Sequence, residues 1–582
     1  MKQRARRSGL LTRCALALGV GILQAAAFPN IGIDWLAWLA PGLLMALWLG
    51  QTGSSAFRIG YCAGLGHYFV SLYWLLLIPL PAKAVAAWIA VSAVLALYTA
   101  SWSWLCWRTF PRVQARAKPD DTVRIERRVR ARGLQVRSAA PVGRVPSPGV
   151  PESEVSAFKT LLATNCRQRT AWGLICACSW VAIEMSIARI LTGFPWNLLG
   201  ASQYRRLALI QIASVTGVYG VSFLIVWLSV SLAVAMIRAW RLRALITGVF
   251  DLALPTTALL VVVGLGLHRL SQSEPMEREL KLALVQPNIP QRVIWDDREK
   301  SNRFQKLLAL SQQAAATRPD MLVWPEAALP GVLTRFSLQT YEAVTNLVVP
   351  NHFWMVMGAD DAESKQTQDV AGDADFFNSA FLIDPSGQLV ARYHKRHLVM
   401  LGEYMPLANW FPFLNHLWSR KGSFTPGRDP TPFVLPNLGA KMSVLICFED
   451  VFPQLVRSSV SEDTDVLVNL TNDGWFGESA AQWQHAVSAL FRAVENGLPL
   501  VRCTNNGLTC WIDDRGRLHD VYFPGTQDIY GAGVKLVRIP LRTHEEKPSL
   551  PFYHRHGDWF GWTCVGIIVG LLLKKLLRPR FE

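Results

Sequence analysis

The chain has 582 residues, 51% of them hydrophobic, with 23 tryptophans and a formal net charge of +17. Its mean hydropathy of +0.21 is too apolar for an ordinary soluble protein. That excludes the water-soluble nucleic-acid binder which the charge alone would indicate, because basic residues also gather in the cytoplasmic loops of membrane proteins.

Eight apolar runs approach the roughly 20 residues that a membrane-spanning helix needs. They lie at 10–28, 33–50, 59–80, 85–107, 171–191, 207–236, 244–268 and 558–575. Lys2, Arg4, Arg6 and Arg7 precede the first, and Arg58 lies between the second and third. Arg238, Arg241 and Arg243 lie between the sixth and seventh, and Lys574, Lys575, Arg578 and Arg580 follow the eighth. With eight spans all these clusters share one side, which the positive-inside rule makes the cytoplasm. Arg205-Arg206 is the exception. The start has the layout of a signal peptide, ending in Ala25-Ala26-Ala27, but the spans that follow make a retained first helix the simpler expectation. Residues 111–150 carry ten Lys/Arg against three Asp/Glu and no apolar period, which predicts a solvated cytoplasmic loop. Glu184 and Asp251 fall inside spans and must face protein or water; a structural hydrogen bond and a functional role are both open for Glu184. His67 reads as packing.

The same topology puts the polar region 279–541, about 260 residues, outside the cytoplasm as one domain with its own core. The domain boundaries expected are a seven-helix membrane part at 1–278, the outer domain at 279–541, and a last span with a basic tail at 542–582. In the outer domain, "LKLALVQPNI" (280–289), "DMLVWPEAALP" (320–330), "FWMVMGAD" (353–360), "NSAFLIDPSG" (378–387), "MSVLICFED" (442–450) and "DVLVNLTNDGWFG" (465–477) read as strands. Helices are predicted at 298–316, 453–460 and 481–497. "PLVRCTNNGLTCWID" (499–513) reads as a hairpin turning at Asn506-Gly507. The alternation predicts an α/β layered domain. With no metal-ligand spacing, P-loop or dinucleotide fingerprint, neither metal nor cofactor is expected.

Three ionisable groups follow strands: Glu326 in "WPEAALP", Lys395 in "YHKRH" and Cys447 in "LICFED". A base, a cation and a nucleophile make a workable acyl-transfer set. Acidic neighbours raise a thiol's pKa, so the cysteine needs the cation or the base to react.

The order Glu, Lys, Cys, with "WPEAALP", "YHKRHLVMLGEYMP" and "ICFED", resembles the nitrilase superfamily, and implies an αββα sandwich. "LVQPNIPQRVIWD" (284–296), "NLTNDGWFG" (469–477), "RCTNNG" (502–507) and "GFPWNLLGASQ" (193–203), with eight spans, narrow the resemblance to the bacterial apolipoprotein N-acyltransferase family. It covers nearly all the chain except 111–169, which looks like an insertion. The resemblance implies that Cys447 is the nucleophile, Glu326 the general base, Lys395 the oxyanion-stabilising cation and Glu403 a supporting glutamate. Trp295 and Glu449 match further family positions; Phe448 stands where the family often has Tyr. It implies transfer of an acyl chain from a membrane phospholipid, typically phosphatidylethanolamine, to the N-terminal amine of a diacylglyceryl-modified apolipoprotein through a thioester. The location implied is the bacterial inner membrane, with the catalytic domain on the periplasmic face, and the protein is expected to be a monomer with no nucleic-acid partner.

"LVMLGEYMPLANWFPFLNHLW" (398–418) is unusually apolar. Trp410, Phe411, Phe413 and Trp418 are candidates for a lip at the membrane interface, against the alternative of a buried loop. Trp475 and Phe476 are candidate lining of the acyl pocket. The competing function is a membrane-anchored amidase acting on small amides. A two-residue turn at 506–507 would set Cys503 opposite Cys510, a spacing that permits a disulfide, although both are expected to stay reduced in a sandwich core.

Overall fold

The computed structural model describes residues 2–111, 152–243, 246–272, 278–329, 331, 338–364, 374–405, 424–541 and 550–577. Five of its helices are long and apolar enough to cross a membrane: Pro81–Thr109, Cys166–Ile187, Val218–Leu242, Gly248–Ser271 and Trp559–Leu577. Of the other predicted runs, the first lies in the 24-residue helix Lys2–Ala25, and the rest are shorter or broken. The 33–50 run is a 3-10 turn, Asp34–Trp38, followed by the nine-residue helix Ala40–Trp48. The 59–80 run is the helix Gly53–Ser71 with a 3-10 turn, Tyr73–Leu77. The 207–236 run is not one helix. Two single turns, Leu207–Ile210 and Ala213–Thr216, end at Gly217, whose φ of 68° breaks the helical path before Val218–Leu242 begins. The Tyr553 ring lies 2.7 Å from where a Cβ of residue 217 would stand, so only glycine fits both the angle and the space.

Three acidic groups of the helical part have partners: Asp251 and Asp34 have arginines, and Glu184 has neutral N–H donors. Asp251 accepts from Arg169 Nε at 2.7 Å and from Arg238. Arg206 grips Asp34 through Nε and Nη2 at 2.7 and 3.1 Å, which neutralises half of the Arg205-Arg206 exception to the charge rule. Glu184 accepts from Trp180 Nε1 at 2.9 Å and from the backbone N–H of Leu199 at 2.8 Å, tying its helix to the loop that carries Trp196.

The polar part folds as two six-stranded mixed sheets. The strands are β1 (Arg278–Gln286), β2 (Met321–Val323), β3 (Trp354–Ser364), β4 (Ala374–Ile383), β5 (Leu389–His394), β6 (Pro432–Leu435), β7 (Ala440–Ile446), β8 (Val466–Thr471), β9 (Leu500–Thr504), β10 (Cys510–Ile512), β11 (Leu518–His519) and β12 (Gly533–Leu541). The sheet orders are β12-β1-β2-β3-β4-β5 and β11-β10-β9-β8-β7-β6. Alternation along each strand sends one set of side chains into the core between the sheets, including Leu280, Leu282, Leu284, Met442, Val444 and Ile446. The opposite set on the first sheet, including Ala283 and Val285, packs under the helices Lys300–Ala315 and Leu338–Val348. The second sheet's outer face, with Leu445, Leu467 and Leu500, packs on the helix Ala481–Asn496. This is the expected αββα sandwich. The last layer differs from a free sandwich, because its core continues without a break into that of the membrane helices through Val218, Val221 and Ile210.

The hairpin register differs from expectation by one residue. Cys510 pairs with Arg502, not Cys503, because five residues separate the strands and Thr509 Oγ1 accepts the N–H of Thr504 at 3.0 Å. A slip of one residue moves a side chain to the other face. Cys503 therefore lies between the sheets and Cys510 under the helix layer, so both are free thiols in separate cores.

Candidate active site

Three strand ends converge. β7 stops at Ile446, and Cys447 takes φ 52°, a left-handed conformation that a non-glycine residue holds only when its surroundings impose it. Glu326 follows the short β2 after Trp324-Pro325, where proline ends the ladder. Lys395 follows β5.

Lys395 is 1% exposed. Its Nζ donates to Glu403 Oε1 at 2.9 Å and lies 3.4 Å from Glu326 Oε1. Asn378 Nδ2 bridges the same two carboxylates, at 2.7 Å to Glu326 and 2.9 Å to Glu403. Glu403 Oε2 also takes the backbone N–H of Val399 at 2.8 Å. Burial works to discharge Lys395, but Glu403 and Glu326 outweigh it and hold its pKa well above the usual lysine value. Burial likewise works to raise Glu403, and Lys395 with the hydrogen bonds brings it below the ordinary range. The ammonium is thus a fixed charge.

The Cys447 thiol is pushed well above its ordinary value, by burial first and by Glu326 second; Lys395 pulls against both, and the Thr471 hydroxyl is hydrogen-bonded to the sulfur. The group rests as a thiol beside a carboxylate and a cation, which suits deprotonation in step with attack.

Glu449 does not face the thiol. It accepts from Tyr393 Oη at 2.9 Å, from the N–H groups of Arg396 and His397 at 2.7 and 3.1 Å, and from the Ile446 N–H at 2.7 Å. One buried carboxylate therefore locks the chain after Lys395 to the chain before Cys447. Phe448 stacks on Trp196 at 6.0 Å between ring centres and meets Phe452 edge-on at 5.1 Å. Trp295 is 41% exposed and meets Trp475 edge-on at 5.3 Å; Phe476 packs on Trp74 at 4.5 Å. Trp410, Phe411, Phe413 and Trp418 lie outside the described residues, as does most of 111–169.

Sequence reasoning missed Asn378 and a second buried cluster. His485 Nδ1 lies 2.7 Å from Asp473, and its Nε2 lies 2.8 Å from Asp450. Arg502 pairs with both aspartates, at 3.3 Å to Asp473. His485 Nε2 also reaches the Cys447 carbonyl at 3.3 Å, and Asn469 Nδ2 donates to that oxygen at 3.0 Å. Burial would lower His485, but Asp450 and Asp473 raise its pKa to about 9. The ordinary value is 6.5, so the folded state favours the proton. That contribution, roughly 3 kcal/mol from the shift, is complete below the ordinary value and is lost as pH rises through the folded one. The melting temperature is therefore expected to fall between about pH 7 and pH 10, and His485→Gln should flatten that fall. An equal fall in the variant would remove His485 as its source.

Asp361, Glu363 and His394 also converge. The Arg392 guanidinium reaches Asp361 at 3.4 Å and Glu363 at 3.0 Å, supplying the positive charge that such a cluster calls for.

The chain matches two family models: carbon-nitrogen hydrolase over residues 281–530, and apolipoprotein N-acyltransferase N-terminal domain over 20–120 and 155–231. The break at 121–154 falls inside the stretch read as an insertion. The apolipoprotein N-acyltransferase of Geobacter metallireducens is 34% identical, over 94% of this chain and 92% of its own. That of Vibrio vulnificus is 29% identical over 97% and 98%, and that of Rickettsia prowazekii 28% over 86% and 88%. Among solved structures, an amidase from Nesterenkonia sp. is 18% identical with a TM-score of 0.32, covering 46% of this chain and 94% of that one.

Proposed function

The chain belongs to the apolipoprotein N-acyltransferase family, and from that premise we propose a residue-level mechanism for its acyl transfer in lipoprotein maturation. Glu326 takes the Cys447 proton as sulfur attacks the acyl ester of a phospholipid, phosphatidylethanolamine being the expected donor. Lys395 faces the tetrahedral oxyanion. The C–O bond breaks, the proton passes from Glu326 to the departing glycerol oxygen, and a lyso-phospholipid leaves a thioester on Cys447. The α-amine of a diacylglyceryl-cysteine then attacks that thioester and gives a proton to Glu326. The amide forms, and the thiolate recovers the proton from Glu326.

The observation that carries this reading is the buried Lys395 held between Glu326 and Glu403 within electrostatic reach of Cys447. The aromatic cluster of Phe448, Phe476, Trp74 and Trp196, shared with the membrane helices, supports a lipid substrate. On this reading residues 1–278 and 542–582 supply eight spans, and 279–541 stands on the periplasmic face of the inner membrane of a monomeric protein. The amidase alternative has only a distant fold likeness behind it.

Intact-mass measurement of the full-length protein mixed with phosphatidylethanolamine vesicles tests the reading. One acyl adduct on Cys447, discharged by a diacylglyceryl peptide, is expected; its absence rejects the mechanism. Glu326→Gln should leave no adduct, because the amide keeps the shape and can still meet Lys395 but cannot accept a proton. Adduct formation at the normal rate would reject Glu326 as the base.

A further inference from the structure

The helix Ala481–Asn496 stands between the second sheet and the membrane helices, and two adjacent residues near its start face different parts of the protein. Gln484 is 3% exposed and fully used. Its Oε1 accepts the indole N–H groups of Trp196 at 2.7 Å and Trp74 at 3.1 Å. Its Nε2 donates to the carbonyls of Pro29 at 2.9 Å and Ser71 at 3.2 Å. All four partners belong to the membrane part. The next residue, His485, touches the other side: its imidazole reaches the Cys447 carbonyl between Asp450 and Asp473, and the Trp196 ring lies 5.5 Å away.

We infer that His485 is a positioning residue for Cys447, and that Gln484 makes this positioning conditional on Trp74 and Trp196 of the membrane part. The left-handed backbone at Cys447 is strained, and among the described residues the side chains of Asn469 and His485 hold its carbonyl. Moving the start of the helix moves His485 with it. Trp196 is shared by three of the contacts, because it bonds Gln484, lies against His485 and stacks on Phe448. A displaced Trp196 therefore disturbs the residue after the thiol and the group that orients its carbonyl together. In chemical terms, the thiol takes its attacking geometry only when the helices that meet the lipid are seated.

The inference rests on Cys447 being the nucleophile, and its test reads the thiol without turnover. The full-length protein in vesicles of a dialkyl-ether phosphatidylethanolamine, which has no acyl ester to transfer, is treated with iodoacetamide, and alkylation of the Cys447 peptide is followed by mass spectrometry; kcat and KM are measured separately with the diacyl lipid. Trp196→Phe keeps a ring in the cluster and removes one hydrogen bond; Gln484→Leu removes all four. Alkylation and kcat are expected to fall by about fivefold in the first and by about tenfold or more in the second, with donor KM within about twofold. The double variant should be no slower than Gln484→Leu, because both act through one residue. Alkylation at the normal rate in Trp196→Phe and Gln484→Leu, a loss confined to KM, or additive losses in the double variant would overturn the coupling. If Cys447→Ala keeps its activity, the nucleophile assignment fails instead, and alkylation still reports the coupling.

Discussion

Cys447→Ala is expected to end acyl transfer, lowering it roughly a thousandfold or more, to background, while the protein stays folded. Thr471 loses its bond to the sulfur, but Asn469 and His485 hold this residue by its carbonyl. They keep their bonds in the variant. Alanine and cysteine pay alike for φ 52°, so the substitution adds no backbone strain. The volume lost is one sulfur from a half-buried position. N-acylation of a diacylglyceryl peptide in proteoliposomes, with melting temperature measured in parallel, decides the point. Acylation above a trace in the pure variant rules out Cys447 as nucleophile. Cys447→Ser should fail as well, because a hydroxyl is a far weaker acid for the same base.

Lys395→Ala should be the most damaging substitution to stability and chemistry together. It leaves Glu326 and Glu403, bridged by Asn378 Nδ2 and at most 8% exposed, without their cation. Stranding one partner of a buried ion pair costs about 3–5 kcal/mol. Two carboxylates in one site then share a proton, so the base is partly neutralised while the oxyanion loses its partner. No acyl-enzyme is expected. The stability loss has a specific remedy: adding Glu403→Gln removes the excess negative charge and should restore much of the melting temperature without restoring the adduct. Normal adduct formation in Lys395→Ala would sink its assigned role. Failure of Glu403→Gln to recover any stability would show that charge balance is not what holds this corner.

The layered order of the chain is written in local periodicity and can be read before folding. Apolar runs of the right length marked the helices, and alternating or continuous apolar runs marked β1, β3, β4, β7 and β8. The helices at 300–315, 453–459 and 481–496 fell within a few residues of expectation. Glu326, Lys395 and Cys447 were legible as ionisable groups after strands, and Glu403 through the family resemblance; the fold brings the Lys395 ammonium within 3.4 Å of both glutamates. Register and breaks were not legible. The 207–236 run is apolar enough to read as one helix, but the structure breaks it at Gly217, against which Tyr553, more than 300 residues away, packs. The hairpin is wider than Asn506-Gly507 alone implies because Thr509 bonds back to Thr504.

Tertiary structure alone decided the rest, for one physical reason. A buried polar side chain is stable only with a partner, and the partners here come from distant parts of the chain. Read locally, Gln482, Gln484, His485, Arg492, Glu495 and Asn496 give their helix a solvated face; all are in fact buried. Asp450, Asp473 and Arg502 surround His485, Val218 N–H and Arg492 meet Glu495, and two membrane tryptophans meet Gln484. Asn378 lies inside β4, a strand that looks like any other, and its role exists only where β4 passes between Glu326 and Glu403. Hydropathy along the chain records which residues avoid water, but pairing between buried polar groups depends on distances that folding alone creates.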